Sequence, residues 1–323
     1  MGPNGERVIG RREVLRRAAG AALAASGAWP QAQADEPAGP TIVDAHTHFY
    51  DPRRPQGVPW PPKDNALLYH PVLPSDFLKV AAPFGVRKTI VVEASAWVED
   101  NQWILDLAER ETSIVGFVGH LTPGEPDFAR HLTRFAKNRL YRGIRVDGPA
   151  LAAGLEQSAY RDDLRRLADH DLELDVNGGP SLLPVVARLA RELPGLRIVI
   201  NHVANLPNKQ GGEPNAAWRE GMLAAGRFPQ VFCKVSALVE GTGAQNGDAP
   251  TVLDFYRPVL DVVWQAFGED RLIYGSNWPV SDRSAPYGVV FSLVRDYFTA
   301  KGPSVLAKFF AGNARAAYKW LDR

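Results

Sequence analysis

The stretch TIVDAHTH, residues 41–48, gives the first indication of the fold, because a β-branched run ends there in two histidines. Its apolar part predicts a buried strand, since Ile and Val pack well on a pleated surface. Seven further runs of this kind follow along the chain. The predicted strands are Thr41–Ala45, Lys88–Ala94, Ile114–Gly119, Tyr141–Val146, Leu172–Val176, Arg197–Asn201, Val231–Val235 and Leu272–Gly275.

Longer amphipathic stretches separate and follow these strands, and they predict helices. They are Ser75–Pro83, Asn101–Arg110, Asp127–Lys137, Ala159–His170, Leu182–Glu192, Asn215–Ala225, Val252–Phe267, Tyr287–Phe298 and Ser304–Trp320. Pro258 is expected to kink or split the seventh of them. The alternation contains no Ser/Gly linker and therefore predicts one α/β domain. Eight repeats favour a single, distorted (β/α)8 TIM-like barrel over an open doubly wound sheet.

Two stretches are rich in loop-forming residues, namely 49–74, which contains Trp60, and 241–250. Each follows a predicted strand and should therefore lie at the carboxyl end of the barrel, where active sites of this fold are built. A loop of about 25 residues inside a compact domain is more often functional than decorative. Both loops are expected to border a site.

The first 34 residues predict an export signal. GRREVLRR at residues 10–17 precedes an Ala-rich run and then AQA at residues 32–34, and the adjacent arginines indicate the twin-arginine export machinery. Cleavage after Ala34 would leave the barrel, residues 35–323, in the periplasm or outside the cell. A basic surface helix is the alternative interpretation. The apolar run of about a dozen residues is too short to cross a bilayer, which needs about 20.

The amino-acid composition limits which partners this protein could bind and which residues could hold a metal. Lys and Arg total 37 against 36 Asp and Glu, so a broad basic face for nucleic acid is not expected. Cys233 is the single cysteine, which excludes an intrachain disulfide and a thiolate zinc site. Any metal must use histidines and carboxylates, and the expected partner is a small-molecule substrate.

Polar residues gather at the carboxyl ends of most predicted strands. Because strands alternate sides with period two, Ile42, Asp44, His46 and His48 are expected to share one side. The other polar ends are Glu93, His120, Arg145, Asp175, Asn177, His202, Lys234, Ser236 and Asn277. A barrel interior is normally filled by Val, Ile and Leu, and an unpaired buried charge is costly, so this pattern indicates a site.

Each candidate also has an ordinary structural interpretation. His46 and His48 can chelate one cation as a His-x-His pair or be ordinary hydrogen-bonded histidines, and His202 has a structural interpretation as well. Arg145 places a planar cation where a substrate carbonyl or carboxylate could lie. Glu93 and Asp175 are either functional or simply neutralise Arg145 and Lys234, and the sequence leaves both interpretations open.

Four segments together resemble the amidohydrolase superfamily, specifically the amidohydrolase-2 group that includes L-fuconolactonase and the pyrone-dicarboxylate lactonases. They are IVDAHTHFYDP at 42–52, GIR at 143–145, NHV at 201–203 and YGSNWPV at 274–280. In this order they extend over residues 41 to 321. A lone His-x-His would be a weak signal, whereas all four segments at matching strand positions are a specific one.

The resemblance implies a hydrolase that acts on a lactone or cyclic ester, including the lactone of a sugar acid. By analogy, the metal-binding candidates His46, His48 and His202 surround a single divalent metal, zinc being the first expectation, or in metal-free members the substrate carbonyl. Water would attack that carbonyl. The catalytic candidates are His202, Arg145, Asn277 and Glu93, and the substrate-binding candidates are Arg145, Asp175, Lys234, Trp60 and Asp282.

The departure from the family is Asn277, where much of the superfamily has an Asp that activates water. An amide cannot accept a proton at neutral pH, so the usual general base is missing. Glu93, Asp282 or His202 could replace it, or a metal could acidify the water. The remaining alternatives are a metal-dependent decarboxylase on the same scaffold and a non-catalytic sugar-acid binding protein.

Overall fold

The computed structural model describes Met1 and residues 41–323. The export signal predicted within residues 1–34 falls, apart from Met1, outside the described residues and stays a prediction. Within the part that is described, no helix is both long and apolar enough to cross a membrane.

Eight parallel strands form one sheet in which each strand pairs with the next along the chain. They are β1 (Ile42–Thr47), β2 (Val86–Val92), β3 (Ile114–Gly119), β4 (Tyr141–Asp147), β5 (Glu173–Asn177), β6 (Arg197–Ile200), β7 (Val231–Val235) and β8 (Leu272–Tyr274). A parallel bridge between Thr47 and Trp278 joins β1 to the segment after β8 and brings the sheet round on itself. The predicted TIM-like barrel is confirmed.

Helices cover the outside of this barrel. The longer ones are Pro74–Ala81, Asp100–Arg110, Phe128–Phe135, Ser158–Asp169, Leu183–Glu192, Ala216–Ala225, Leu253–Phe267 and Tyr287–Thr299. A further helix, Gly148–Gly154, was not expected from the sequence. The last predicted helix is divided into Pro303–Ala307, a π-helical turn Lys308–Gly312 and Asn313–Tyr318.

Of the two effects expected of Pro258, a split of the helix is not observed, because Leu253–Phe267 is continuous. A proline removes one backbone donor from the helix ladder. The residues on both sides of it, including Tyr256, Val259 and Leu260, are buried against the barrel. Their packing holds the helix together across the missing bond.

The barrel interior is closed at its amino end by the carboxyl terminus of the chain. Inside the sheet a cluster contains Val43, Ala45, Ile90, Val92, Val199 and Ile273. Ala317, Tyr318 and Trp320 pack against this cluster from below, and the Leu321 N–H donates to the Val115 carbonyl at 3.0 Å. Apolar burial of this kind contributes about 25 cal/mol for each Å² removed from water. The stable end of the barrel thus lies opposite the polar strand ends.

Strand β1 does not follow the simple alternation expected from its sequence. Its pairing with β2 is irregular between Asp44 and Thr47. Asp44 therefore accepts a hydrogen bond from Tyr287 of an outer helix at 3.1 Å, while His46 contacts Lys234 inside the barrel. The predicted common side for Asp44 and His46 is wrong, because an irregularity in strand pairing changes which side the following residues face.

Candidate active site

Three imidazoles meet at the carboxyl end of the barrel, and we call His46, His48 and His202 the imidazole cluster. The ring centroids of His46 and His48 are 5.0 Å apart, and those of His46 and His202 are 4.3 Å apart. His46 is fully buried, whereas His48 and His202 keep 4% and 6% exposure. The sequence-based expectation that these distant histidines converge is confirmed.

The backbone around the cluster adopts conformations that L-residues rarely take. His202 has φ +56°, and the next three residues also have positive φ values. Asn277 has φ +62°. Such conformations cost about 1–3 kcal/mol each and persist only where the surroundings fix them. Here the Val203 carbonyl accepts a hydrogen bond from Trp218 Nε1 at 2.8 Å, which holds the turn that places His202.

Backbone hydrogen bonds join β1 to the loop after β8. The Asn277 N–H donates to the His46 carbonyl at 2.9 Å, and the His48 N–H donates to the Trp278 carbonyl at 3.0 Å. Gly275 is needed at this junction, because a Cβ there would lie 2.8 Å from the Cβ of His46. The main chain therefore fixes His46, His48 and Asn277 relative to one another.

Lys234 determines which nitrogen of His46 carries the proton. Lys234 Nζ lies 3.2 Å from His46 Nδ1 and 2.6 Å from Asp175 Oδ2, and it stands over the ring of Tyr318 at 5.1 Å. These contacts accommodate the three protons of an ammonium group. Burial and the charge of Lys234 lower the pKa of His46 well below its usual range, so the ring is neutral. With Nδ1 accepting, the proton lies on Nε2.

Nε2 of His46 is buried and has no hydrogen-bond partner among the described residues. A buried donor left in this state costs about 1–3 kcal/mol. The structure thus presents an unsatisfied N–H at the centre of the imidazole cluster.

Asp175 and Lys234 lie beneath the cluster rather than beside the open cleft. Both side chains are fully buried, and Tyr318 donates to Asp175 Oδ1 at 2.7 Å. The prediction that Asp175 and Lys234 contact the substrate is therefore wrong, because both side chains are buried beneath His46. Glu173, which sequence reasoning did not single out, lies two residues before Asp175 on β5, and burial and the Asp175 charge raise its pKa well above its usual range.

The other two histidines each use Nδ1 for a contact with the protein. His48 Nδ1 is 2.9 Å from the Val92 carbonyl, which can only accept, so this nitrogen carries the proton. His202 Nδ1 is 2.8 Å from Ser236 Oγ.

Burial, together with the charge of Arg145, lowers the pKa of His48 to about 3. Burial and the charge of Lys234 lower the pKa of His202 well below its usual range. Both rings are neutral.

Arg145 is paired with Glu93. Its Nε donates to Glu93 Oε1 at 2.9 Å and its Nη2 donates to the Glu93 carbonyl at 3.0 Å. The two side chains are only 18% and 12% exposed. The pairing that the sequence offered as one interpretation is observed, and the role of Glu93 as a general base stays a prediction. Arg145 retains Nη1 for a substrate.

Asn277 contacts a partly buried acid, Glu240, to which the sequence did not point. Its Nδ2 donates to Glu240 Oε1 at 2.7 Å, and its Oδ1 lies 3.3 Å from His48 Nε2. Burial raises the pKa of Glu240 to about 7. Glu240 stands in a turn after β7, and an acid beside a Gly-rich loop carries no sequence signal of burial.

The remaining candidates lie around the entrance. The ring of Trp60 is 6.0 Å from that of His48. Asp282 follows β8 in a short turn, where burial raises its pKa to about 6.

A cavity of about 210 Å³ opens beside Arg145, and its polar lining includes His120, Thr122, Asp147 and Tyr160. Asn177 donates to Asp147 at 3.3 Å outside the cluster.

A divalent cation does not fit the nitrogens as they are arranged. His46 Nε2 carries a proton and so offers no lone pair, and the Lys234 ammonium lies 3.2 Å from the same ring. Position 277 supplies an amide instead of a carboxylate. In the described part of the chain, no group of three or more His, Cys, Asp or Glu side chains has the spacing of a metal centre. The metal set predicted from sequence is therefore not supported by this geometry.

Comparisons with known proteins agree with this architecture. The chain is 32% identical over 289 residues to the L-fucono-1,5-lactonase of Burkholderia ambifaria, covering 87% of this chain and 96% of that protein. A protein of the same name from Burkholderia multivorans is 26% identical over 283 residues, covering 85% and 95%. The crystal structure of an amidohydrolase from Burkholderia multivorans with bound zinc has a TM-score of 0.79 at 24% identity, covering 87% of this chain and 100% of that one.

Residues 43–320 match the family described as amidohydrolase, in its amidohydrolase-2 group. This range contains every strand except the first residue of β1 and every member of the imidazole cluster. The family expected from the four sequence segments is thereby confirmed, and the chain belongs to the amidohydrolase-2 family.

Proposed function

We propose that this protein hydrolyses the lactone ring of a neutral, hydroxylated sugar acid. The observation that carries the proposal is the unsatisfied Nε2–H of His46 within the imidazole cluster. A preorganised donor aimed at a carbonyl oxygen stabilises the negative charge that develops there when water attacks. Binding of that oxygen would also relieve the cost of the unpaired N–H.

The proposed reaction adds one water molecule to the lactone carbonyl. Water attacks the carbonyl carbon, the carbonyl electron pair moves onto its oxygen, and His46 donates to that oxygen. Collapse of the tetrahedral species then breaks the bond to the ring oxygen, which leaves as a hydroxyl after taking a proton. The product is an open-chain hydroxy acid. Main-chain hydrogen bonds between β1 and the loop after β8 hold His46 in place, so this donor is positioned before the reaction begins.

The charges of the site favour a neutral substrate. Arg145 is neutralised by Glu93, and Lys234 by Asp175. A dicarboxylate would need cations that are free of such partners, whereas hydroxyl groups need only polar neighbours. In the cavity beside Arg145, the side chains of His120, Thr122, Asp147 and Tyr160 are such neighbours. The same reasoning disfavours the decarboxylase alternative, whose substrate carries a carboxylate, and the name of the Burkholderia ambifaria relative, L-fucono-1,5-lactonase, supports the neutral lactone.

The test is a pH-indicator assay with aldonolactones and, for comparison, a pyrone dicarboxylate. We expect turnover of neutral sugar lactones and none of the dicarboxylate. Release of carbon dioxide from a carboxylated substrate would support the decarboxylase. Thermal stabilisation by sugar acids without turnover would support a binding protein, because a ligand stabilises the state to which it binds.

Metal dependence is a separate prediction. With the proton of His46 on Nε2, protein purified without chelator and then treated with one should keep its lactonase activity within about twofold, since no step of the proposed reaction uses a metal. Metal content by mass spectrometry and the rate before and after chelation provide the measurement. A stoichiometric metal whose removal abolishes turnover would show that Nε2 of His46 is deprotonated and that the assigned tautomer is wrong.

A further inference from the structure

Two hydrogen-bond acceptors, one of them in the imidazole cluster, face each other. His48 donates through Nδ1 to the Val92 carbonyl, so its Nε2 has a lone pair and no proton. This nitrogen lies 3.3 Å from Asn277 Oδ1, which is also an acceptor. We call His48 Nε2 and Asn277 Oδ1 the acceptor pair. The two atoms have no proton to share, and a molecule with two donors would satisfy both.

The orientation of the Asn277 amide is determined on its other side by Glu240. A carboxylate only accepts, so the group that faces Glu240 Oε1 at 2.7 Å must be the Asn277 NH2. This contact leaves Oδ1 directed towards His48. Glu240 Oε2 is buried and has no hydrogen-bond partner among the described residues, so the contact with Asn277 is made through Oε1 alone.

We propose that Glu240 is a positioning residue that holds the Asn277 amide so that the acceptor pair binds the attacking water through both of its protons. The inference rests on the proposed function, and it answers how a chain with Asn at position 277 orients water. A water held in this way directs a lone pair of its oxygen away from the pair and towards the carbonyl carbon.

His48 carries a proton from the attacking water to the leaving ring oxygen. As the water oxygen bonds to the carbonyl carbon, the carbonyl pair moves onto oxygen and one water proton passes to His48 Nε2. The negative charge that develops on the substrate favours this imidazolium, which is disfavoured in the resting site. When the ring C–O bond breaks, the same proton passes to the leaving ring oxygen. His48 returns to its neutral form, and one water has been added to one lactone.

Protonation of Glu240 should turn the side-chain amide of Asn277 around, so that its oxygen and its NH2 group exchange places. A protonated carboxyl can donate to Asn277 Oδ1, and the NH2 group then turns to His48 Nε2 and blocks it. Burial raises the pKa of Glu240 to about 7, an effect opposed by Asn277 and Arg283 and reinforced by Asp282. Tyr256 is the other titratable neighbour. Because the deprotonated form is the competent one, activity should rise with pH through about 7.

The kinetic experiment measures kcat and KM for the lactone between acid and alkaline pH in the full-length protein. Glu240→Ala should lower kcat by about 10- to 100-fold with little change in KM, since water orientation and not substrate binding is lost. Glu240→Gln should remove the pH transition. Asp254→Asn, the same carboxylate-to-amide change on an exposed side chain that pairs with Arg257, should keep the wild-type profile. A wild-type rate and profile in both Glu240 variants would overturn the inference.

A second measurement does not depend on turnover. In protein labelled with ¹⁵N-asparagine, the Asn277 side-chain NH2 signals, assigned from an Asn277→Ala spectrum, should move with a midpoint at about pH 7, and this movement should vanish in Glu240→Gln. Movement in a protein that hydrolyses no lactone would retain the control of the amide by Glu240 and refute the proposed function. Signals that stay fixed across this pH range would overturn the inference, whatever the turnover.

Discussion

The substitution His46→Ala is expected to lower kcat for lactone hydrolysis by about 100- to 1000-fold, the loss typical of removing one donor to a developing oxyanion. The side chain is fully buried, and its Nε2–H is the unsatisfied donor of the imidazole cluster. The backbone around it is held by the hydrogen bond that its own carbonyl accepts from Asn277, which the substitution leaves in place. The fold should therefore persist while the chemistry is lost.

Rates and thermal unfolding of the wild type and of His46→Ala test this prediction together. His131→Ala is the matched control, because His131 stacks on Phe135 on an outer helix, with ring centroids 6.3 Å apart, and takes no part in the cluster. It should retain wild-type turnover. An active His46→Ala variant would remove the central donor from the mechanism.

Removal of the cation beneath the cluster should affect stability and activity together. Lys234→Met leaves Asp175 as a fully buried charge without its partner, which typically costs about 3–5 kcal/mol in the free energy of unfolding. It also removes the donor to His46 Nδ1, so the proton of His46 is no longer held on Nε2. We expect a large fall in the free energy of unfolding and a fall in kcat of about 100-fold or more.

A double variant separates the two effects. Lys234→Met with Asp175→Asn removes both buried charges, and Tyr318 keeps an acceptor in the Asn side chain. Most of the lost free energy of unfolding should return, as measured in urea, because a buried pair replaced as a whole is often neutral for stability. The value of kcat should stay low, because without Lys234 nothing holds the proton of His46 on Nε2. Full recovery of kcat in the double variant would contradict the role assigned to Lys234.

Sequence reasoning succeeded where a residue's role follows from its own segment. Each of the eight strands was located to within two residues at either end, because a β-branched run between helical patterns has few other structures available. The convergence of His46, His48 and His202 followed from their common position at strand ends. The irregular pairing at Asp44 was not predictable, since an irregularity depends on the neighbouring strand.

Contacts between distant segments account for what was missed. Glu93 and Arg145 are 52 positions apart in the chain, and only their approach across the barrel decides that they neutralise each other. Glu240 and Asn277 are 37 positions apart, and the burial that raises the pKa of Glu240 comes from loops whose path the residue pattern does not specify. The depth of Asp175 and Lys234, below rather than beside the cleft, was also set by packing.

The sequence by itself determined a parallel barrel with histidines at its mouth and the family to which such a chain belongs, because hydrophobic periodicity and short motifs are local properties of the chain. The tertiary structure alone decided which charges are compensated, which nitrogen of His46 carries the proton and which way the Asn277 amide faces. Those properties depend on hydrogen-bond partners and on exclusion from water, and both arise only when segments far apart in the chain are brought within about 3 Å of each other.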